Sequence, residues 1–477
     1  MLADTGPVDV FLGGGRILDI APTGVLAARG EVLDADGAWL IPGLWDHHVH
    51  AIQWALLEDR IDLRPAGSAQ EAAALMGAAV PRDGRLVGVG FRDGLWPDRP
   101  SLEVLDAATG SIPTYLISAD VHTVWLNSAA LFREGVRSDG SGMLREEDAF
   151  EISRRLNAVE PTEGDRLVDL AARRAAARGV VGIVDLDMTW NHDAWARRAA
   201  AGFDATHVSY GIYPQHLQHA IDLGLRTGDV VEGSLNGLVR TGPLKVITDG
   251  SLGTRTAACS HAYPDDPANR GVLTVDHGAL VELMTRATGA GIHSAIHAIG
   301  DVANSSALDA FAATGAVGAI EHAQLVSAAD IPRFARLGVG ASVQPEHAID
   351  DRDMTDTTWA AQTAQPYPLR ALAEAGTNLL FGSDAPVSPL DPWAGIAAAV
   401  YRTRDGREPW RADQALDAST ALAASTRGGS RHGARIEPGA PADLALVERD
   451  PLAASELELR GMAVGATLLA GRITHRA

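Results

Sequence analysis

The chain has 477 residues, 40 basic against 61 acidic, and a formal charge of -21. That length exceeds what one hydrophobic core usually serves, so a large domain plus a smaller one is expected. The negative charge argues against nucleic acids and other polyanions as partners.

No stretch reaches the roughly 18 apolar residues of a membrane span, and the start MLADTGPVDVFLGGG lacks the basic and apolar segments of a secretion signal. The expectation is a cytoplasmic protein with no membrane partner and a small-molecule substrate. Large barrels often pair, so a homodimer is one possible assembly, and the sequence leaves the oligomeric state open.

The opening runs VDVFLGG, RILDI and GAWLIPG alternate with glycine and acidic turns, which reads as strands of a small β unit. From about residue 45 to 429, apolar runs alternate with alanine- and arginine-rich stretches of helical period, the rhythm of strand–helix repeats and a parallel sheet. The expected fold class is therefore α/β, a TIM-type (β/α)8 barrel.

Barrel strands are read at GLWDHHVH, VVGIVDLD, LKVITDG, IHSAIHAIG, AIEHAQL, GVGASVQP and NLLFGSDAP, with helices such as DRLVDLAARRAAARG and HGALVELMTRATGAG between them. The segment from about 53 to 165 is too long for one strand–helix unit. It is read as an insertion that shapes the substrate pocket. After residue 430 the texture is strand-like again, in PGAPADLALVERD and MAVGATLLAGRITHRA. Residues 1–44 and 430–477 are thus expected to pair into one small β-rich domain.

Polar residues collect at the C-terminal ends of the strands, where barrel enzymes carry their active sites. His48 and His50 are two apart in a strand and share a face, so both imidazoles can serve one centre, while His47 points elsewhere. His297 ends IHSAIH and His322 ends AIEH. Imidazole is the commonest protein ligand for zinc and related metals. Asp384 caps an apolar strand in LLFGSDAP, where metal coordination or a strong hydrogen bond would offset the cost of burying a carboxylate. Its neighbours Gly382 and Ser383 are read as leaving room for substrate.

Lys245 is the only lysine among the 40 basic residues, the rest being arginine. An amine can lose its proton, bind metal or react covalently, which a guanidinium cannot do, so a solitary lysine suggests a chemical task. Cys259 is the only cysteine, which excludes an intrachain disulfide and a thiolate-rich zinc site. It is read as a small buried side chain. The glycines of GGGRILD lack the strand–G-x-G-x-x-G–helix context of a dinucleotide site, which argues against an oxidoreductase.

The segments PGLWDHHVH, LKVITDGSLGTRTAA, HAIGD, IEHAQL, FGSDAPVSPLDP and PGAPADLALVERD resemble the amidohydrolase superfamily, specifically the amidohydrolase-three group that includes N-substituted formamide deformylases. The resemblance covers nearly the whole chain in the expected order. It implies a barrel with a small β-sandwich formed by both termini, and a pair of metals at its mouth, usually Zn2+. By that pattern His48 and His50 bind one metal, His297 and His322 the second, carboxylated Lys245 bridges them, and Asp384 contacts the first. Asp384 would also be the catalytic base and acid. His47 departs from the small residue commoner at its position.

The implied reaction is attack of metal-activated hydroxide on a C–N bond, in an N-substituted formamide, another amide or a cyclic amide. Two alternatives remain open: a mononuclear hydrolase acting on esters or carbamates, and a non-catalytic barrel protein. Trp96, His122, Asn127, Arg255 and His347 are the candidate substrate contacts.

Overall fold

The computed structural model describes residues 6–27 and 30–477. Residues 1–5 and 28–29, assigned from sequence to the small terminal domain, lie outside the described residues. Eight strands form one parallel sheet: β1 (Leu44–Val49), β2 (Val180–Asp185), β3 (His207–Ile212), β4 (Val239–Ile247), β5 (Ser294–Ala298), β6 (Gly318–His322), β7 (Gly340–Val343) and β8 (Leu379–Phe381). They lie side by side in chain order. The circle closes where the His50 amide donates to the Ala385 carbonyl (2.9 Å) and the Asp384 amide to the His48 carbonyl (2.8 Å). This is the (β/α)8 barrel the strand–helix rhythm implied.

Seven of the eight strands correspond to runs read from the sequence. The eighth, β3, has the sequence HVSYGI, in which His207 and Ser209 are only half-buried while Val208 and Tyr210 are buried. That broken apolar run carries no parallel-sheet signature. Two glycines mark close approaches between strands. A Cβ on Gly182 would meet the Trp45 ring at 2.1 Å, and one on Gly382 would meet the His48 amide nitrogen at 2.7 Å.

Both termini build the small sandwich. Strands Trp39–Pro42, Leu444–Val447, Val464–Leu469 and Arg472–Arg476 form an antiparallel sheet, with Leu444 opposite Pro42. The hairpin Val8–Gly13 and Arg16–Pro22 packs against it through Val10, Leu12 and Ile17 on Leu444, Leu446, Ala466 and Leu468. The chain crosses into the barrel at Gly43, where a Cβ would strike Val181 at 2.5 Å.

The segment between β1 and β2 folds around its own sheet of five short strands, spanning Ile61–Asp62, Leu86–Phe91, Thr114–Ser118, Thr123–Leu126 and Met143–Arg145. Leu63, Met76, Phe91, Leu105, Leu116 and Trp125 form its core. The helix Pro161–Ala175 then returns the chain to β2. Among the described residues no helix is long and apolar enough to cross a membrane.

Candidate metal centre

The six residues read as ligands stand at or just past the C-terminal ends of β1, β4, β5, β6 and β8, and all line one cavity of about 930 Å3, counting its open mouth. The His48 and His50 rings lie 5.5 Å apart, His48 and His322 4.9 Å, and His297 and His322 4.5 Å. Asp384 Oδ1 sits 3.1 Å from His50 Nε2 and 3.4 Å from His48 Nε2. Neither contact has the geometry of a hydrogen bond to Oδ1, which is buried without a partner.

The backbone departs from ideal strands to aim these groups. His322 has φ 72° and Asp384 φ 57°, both in the left-handed region that L-residues avoid. Each such residue costs on the order of 1–2 kcal/mol, and strain of this kind concentrates at functional sites. At His322 it breaks the two-residue alternation, so Glu321 and the His322 ring both reach the centre.

A set of supporting contacts orients the imidazoles. His48 Nδ1 bonds Glu321 Oε2 at 2.7 Å, and His322 Nδ1 bonds Gln344 Oε1 at 2.9 Å, so each ring turns Nε2 away from its anchor. His297 Nε2 lies 3.4 Å from Asp249 Oδ1. Asp249 is itself fixed by the amides of Ala258, Ile299 and Gly300 at 2.8–3.0 Å. Such outer contacts typically fix ring orientation at metal sites. Sequence reading missed Glu321, Gln344 and Asp249. The only signal for Glu321 was a carboxylate inside an apolar strand.

Burial, with help from the nearby Lys245 charge, pushes His48 down to about 4. Burial likewise lowers His297 and takes His322 well below its ordinary value. These rings are neutral near pH 7, as metal ligation requires. His50 is the exception, because Asp384 outweighs burial and raises it. Burial would raise Asp384, but His48, His50 and His322 outweigh it and hold the carboxyl well below the usual range.

Lys245 is 1% exposed, and its Nζ has no hydrogen-bond partner among the described residues. Burial lowers its pKa against the pull of Glu321 and Asp384. A buried amine left without partners is costly, and so are the unpartnered His50 Nδ1, His297 Nε2 and Asp384 Oδ1 around it. A cation would take up Asp384 Oδ1 and the lone pair of a neutral Lys245 amine, with one nitrogen from each of the surrounding imidazoles, so the donor set fits a divalent metal. The triad His48, His50 and Asp384 brings one donor atom from each residue within 4.8 Å of the others.

Of the candidate substrate contacts, His122 and His347 line the cavity. His122 Nδ1 bonds Glu146 Oε2 (2.8 Å), and Glu146 in turn accepts from Thr254 Oγ1 (2.8 Å) on the barrel side. The inserted segment is pinned there too by Ser251 Oγ donating to Asp120 Oδ2 at 2.6 Å. Trp96, Asn127 and Arg255 are not brought to the cavity. Trp96 donates to the Ala66 carbonyl, Asn127 caps the helix Ser128–Glu134 while satisfying three backbone groups of residues 110–114, and Arg255 pairs with Asp265.

Gly382 and Ser383 make no room for substrate either. Gly382 admits the β1 backbone, and the Ser383 amide donates to Asp46 Oδ1 at 2.9 Å. His47 turns outward, as alternation required, with Nε2 3.0 Å from the Thr426 carbonyl oxygen. Cys259 is buried, and burial pushes its thiol up to about 12, consistent with a packing role.

The chain is 28% identical to Protein LONG AFTER FAR-RED 3 of Arabidopsis thaliana, over 91% of this chain and 82% of that protein. It is 26% identical to an N-substituted formamide deformylase of Arthrobacter pascens, over 98% of this chain and 94% of that one. Among solved structures, a metal-dependent hydrolase of Pyrococcus horikoshii superposes with a TM-score of 0.77 at 26% identity, covering 93% of this chain and 94% of its own. A family model described as the amidohydrolase family matches residues 31–475. Barrel, sandwich and inward-facing His/Asp cluster agree with that match, and the chain belongs to the amidohydrolase family.

Proposed function

We propose that the protein hydrolyses a C–N bond in a small amide, an N-substituted formamide first and cyclic amides next, at a centre holding two divalent ions. The observation that carries this reading is the unpartnered Lys245 amine buried among imidazoles and carboxylates. In this reading His48, His50 and Asp384 hold one ion, His297 and His322 hold the second, and Lys245 stands between them. Zinc suits the nitrogen and oxygen donors, though manganese, iron and cobalt would also be accepted.

Lys245 would act as a carbamate. Its neutral amine would attack carbon dioxide, the N–C bond forming as one C=O π bond breaks and its electron pair moves to oxygen, and the nitrogen would then lose a proton to solvent. Burial favours the neutral amine that this step needs. The product would be an anionic group offering two oxygens to metal, which no arginine could supply.

Bound divalent ions would lower the pKa of a water from about 15.7 toward 7 and polarise the carbonyl under attack. Asp384, ionised and within 3.4 Å of both β1 imidazoles, would accept the water's proton and deliver it to the leaving nitrogen. The cavity walls supplied by Phe91, Phe150, Met188 and Leu252 suit an apolar substituent and limit access of bulk water. The deformylase relative supports an amide substrate.

Elemental analysis of protein purified without chelator tests the reading. Two equivalents of metal per chain are expected. One equivalent would favour a mononuclear hydrolase of esters or carbamates built on the His48, His50 and Asp384 triad. None, even after addition of metal and bicarbonate, would overturn the proposal.

A further inference from the structure

His347 is unaccounted for by the arrangement above. It lies in the helix Pro345–Asp350 that follows β7, is 5% exposed, and lines the cavity. Its Nε2 is buried without a hydrogen-bond partner among the described residues. An unsatisfied imidazole nitrogen costs about 1–3 kcal/mol, so a group that binds it is called for.

The neighbours of the ring indicate what that group is. The His347 ring is nearly parallel to that of His322, at 12° and 6.3 Å between centroids. Donor atoms from His322, His347 and Asp384 come within 4.8 Å of one another, as do those of His48, His50 and Asp384. Metal–nitrogen bonds of about 2.0–2.1 Å place opposed donors about 4.2 Å apart at most, so small side-chain rotations would bring all three onto one ion.

We propose that His347 is a fifth imidazole of the metal centre, joining His297 and His322 as a ligand of the second ion beside Asp384, rather than contacting substrate. This rests on the reading of the protein as a metal-dependent hydrolase. The bound species is a divalent cation of the zinc type, and Asp384 is shared between the two seats.

The test is metal content after equilibration with Zn2+ and removal of excess, for wild type, His347→Ala and the volume-conserving His347→Phe, with circular dichroism as a check on folding. The expected result is two ions in wild type and one in each folded variant, while His122→Ala, altered on the same cavity wall, retains two. Variants that keep two ions overturn the proposal and leave the hydrolase reading intact, as does a wild type with one ion that both variants retain. A wild type that takes up none overturns both. Should both variants fail to fold, the Co2+-loaded wild type decides by paramagnetic NMR, where five shifted imidazole spin systems uphold the proposal and four overturn it.

Discussion

Lys245 and Glu321 show how single residues set the chemistry of this centre. Lys245 is fully enclosed with its amine unsatisfied, a cost borne at the only position in the chain where lysine was kept. Lys245→Arg should leave a folded chain, because the stem still packs, but should abolish hydrolysis and remove one of two metal equivalents, read by elemental analysis and an amide screen. An arginine variant with full metal content and activity would refute the carbamate. Glu321 instead acts through His48, whose Nδ1 it holds at 2.7 Å. Glu321→Ala should weaken metal affinity by about 10–100-fold, measured by competition with a chelator. Unchanged affinity would mean that the contact only fills space.

At the scale of elements, strand alternation made His48, His50 and the outward turn of His47 legible, and the position of each strand end located Lys245, His297, His322 and Asp384. What alternation could not reveal was the left-handed backbone at His322 and Asp384, because nothing in AIEHAQL or FGSDAP marks those residues as departing from strand geometry. For the same reason Glu321 was hidden, since a regular strand would face it away from His322. Asn127 misled because a polar residue after an apolar run reads alike whether it caps a helix or faces a pocket. Gly382 was recognised as small, but the space it leaves belongs to β1. Gly382→Ala would drive a Cβ to 2.7 Å from the His48 amide nitrogen and 2.8 Å from the His48 Cβ. Separating β8 from β1 should cost about 1–3 kcal/mol, seen as a lowered melting temperature, and should reduce metal content because His48 and Asp384 sit on either side of that seam. A variant with wild-type melting and metal content would show that the seam can give.

At the scale of the whole molecule, the barrel and the terminal sandwich are fastened at a point remote from the cavity. His207, on the strand the sequence concealed, places Nε2 2.9 Å from Asp443 Oδ2 at the start of the C-terminal sheet. Asp443 Oδ1 accepts from the Ala470 amide, and its carbonyl accepts from Gly43 where the chain crosses between the two units. Burial would raise the Asp443 carboxyl, but the hydrogen bond and charge of His207 outweigh it and hold the pKa below its ordinary value. A carboxyl whose folded pKa is depressed contributes stability that is present above the unfolded pKa of about 3.9 and lost as pH falls through the folded value. Asp443→Asn should therefore destabilise the protein by about 2 kcal/mol at pH 7, the typical worth of a largely buried charge-assisted hydrogen bond. The gap between variant and wild type should close as the pH is lowered below about 4, since protonation then removes from wild type what the substitution removed at neutral pH. Denaturant melts of both proteins at pH 7 and pH 3 measure the two gaps. A gap that stays constant would assign the loss to packing at the junction, whereas one that shrinks ties the sandwich to the barrel through the ionised Asp443 and leaves the metal centre on the opposite rim unaffected.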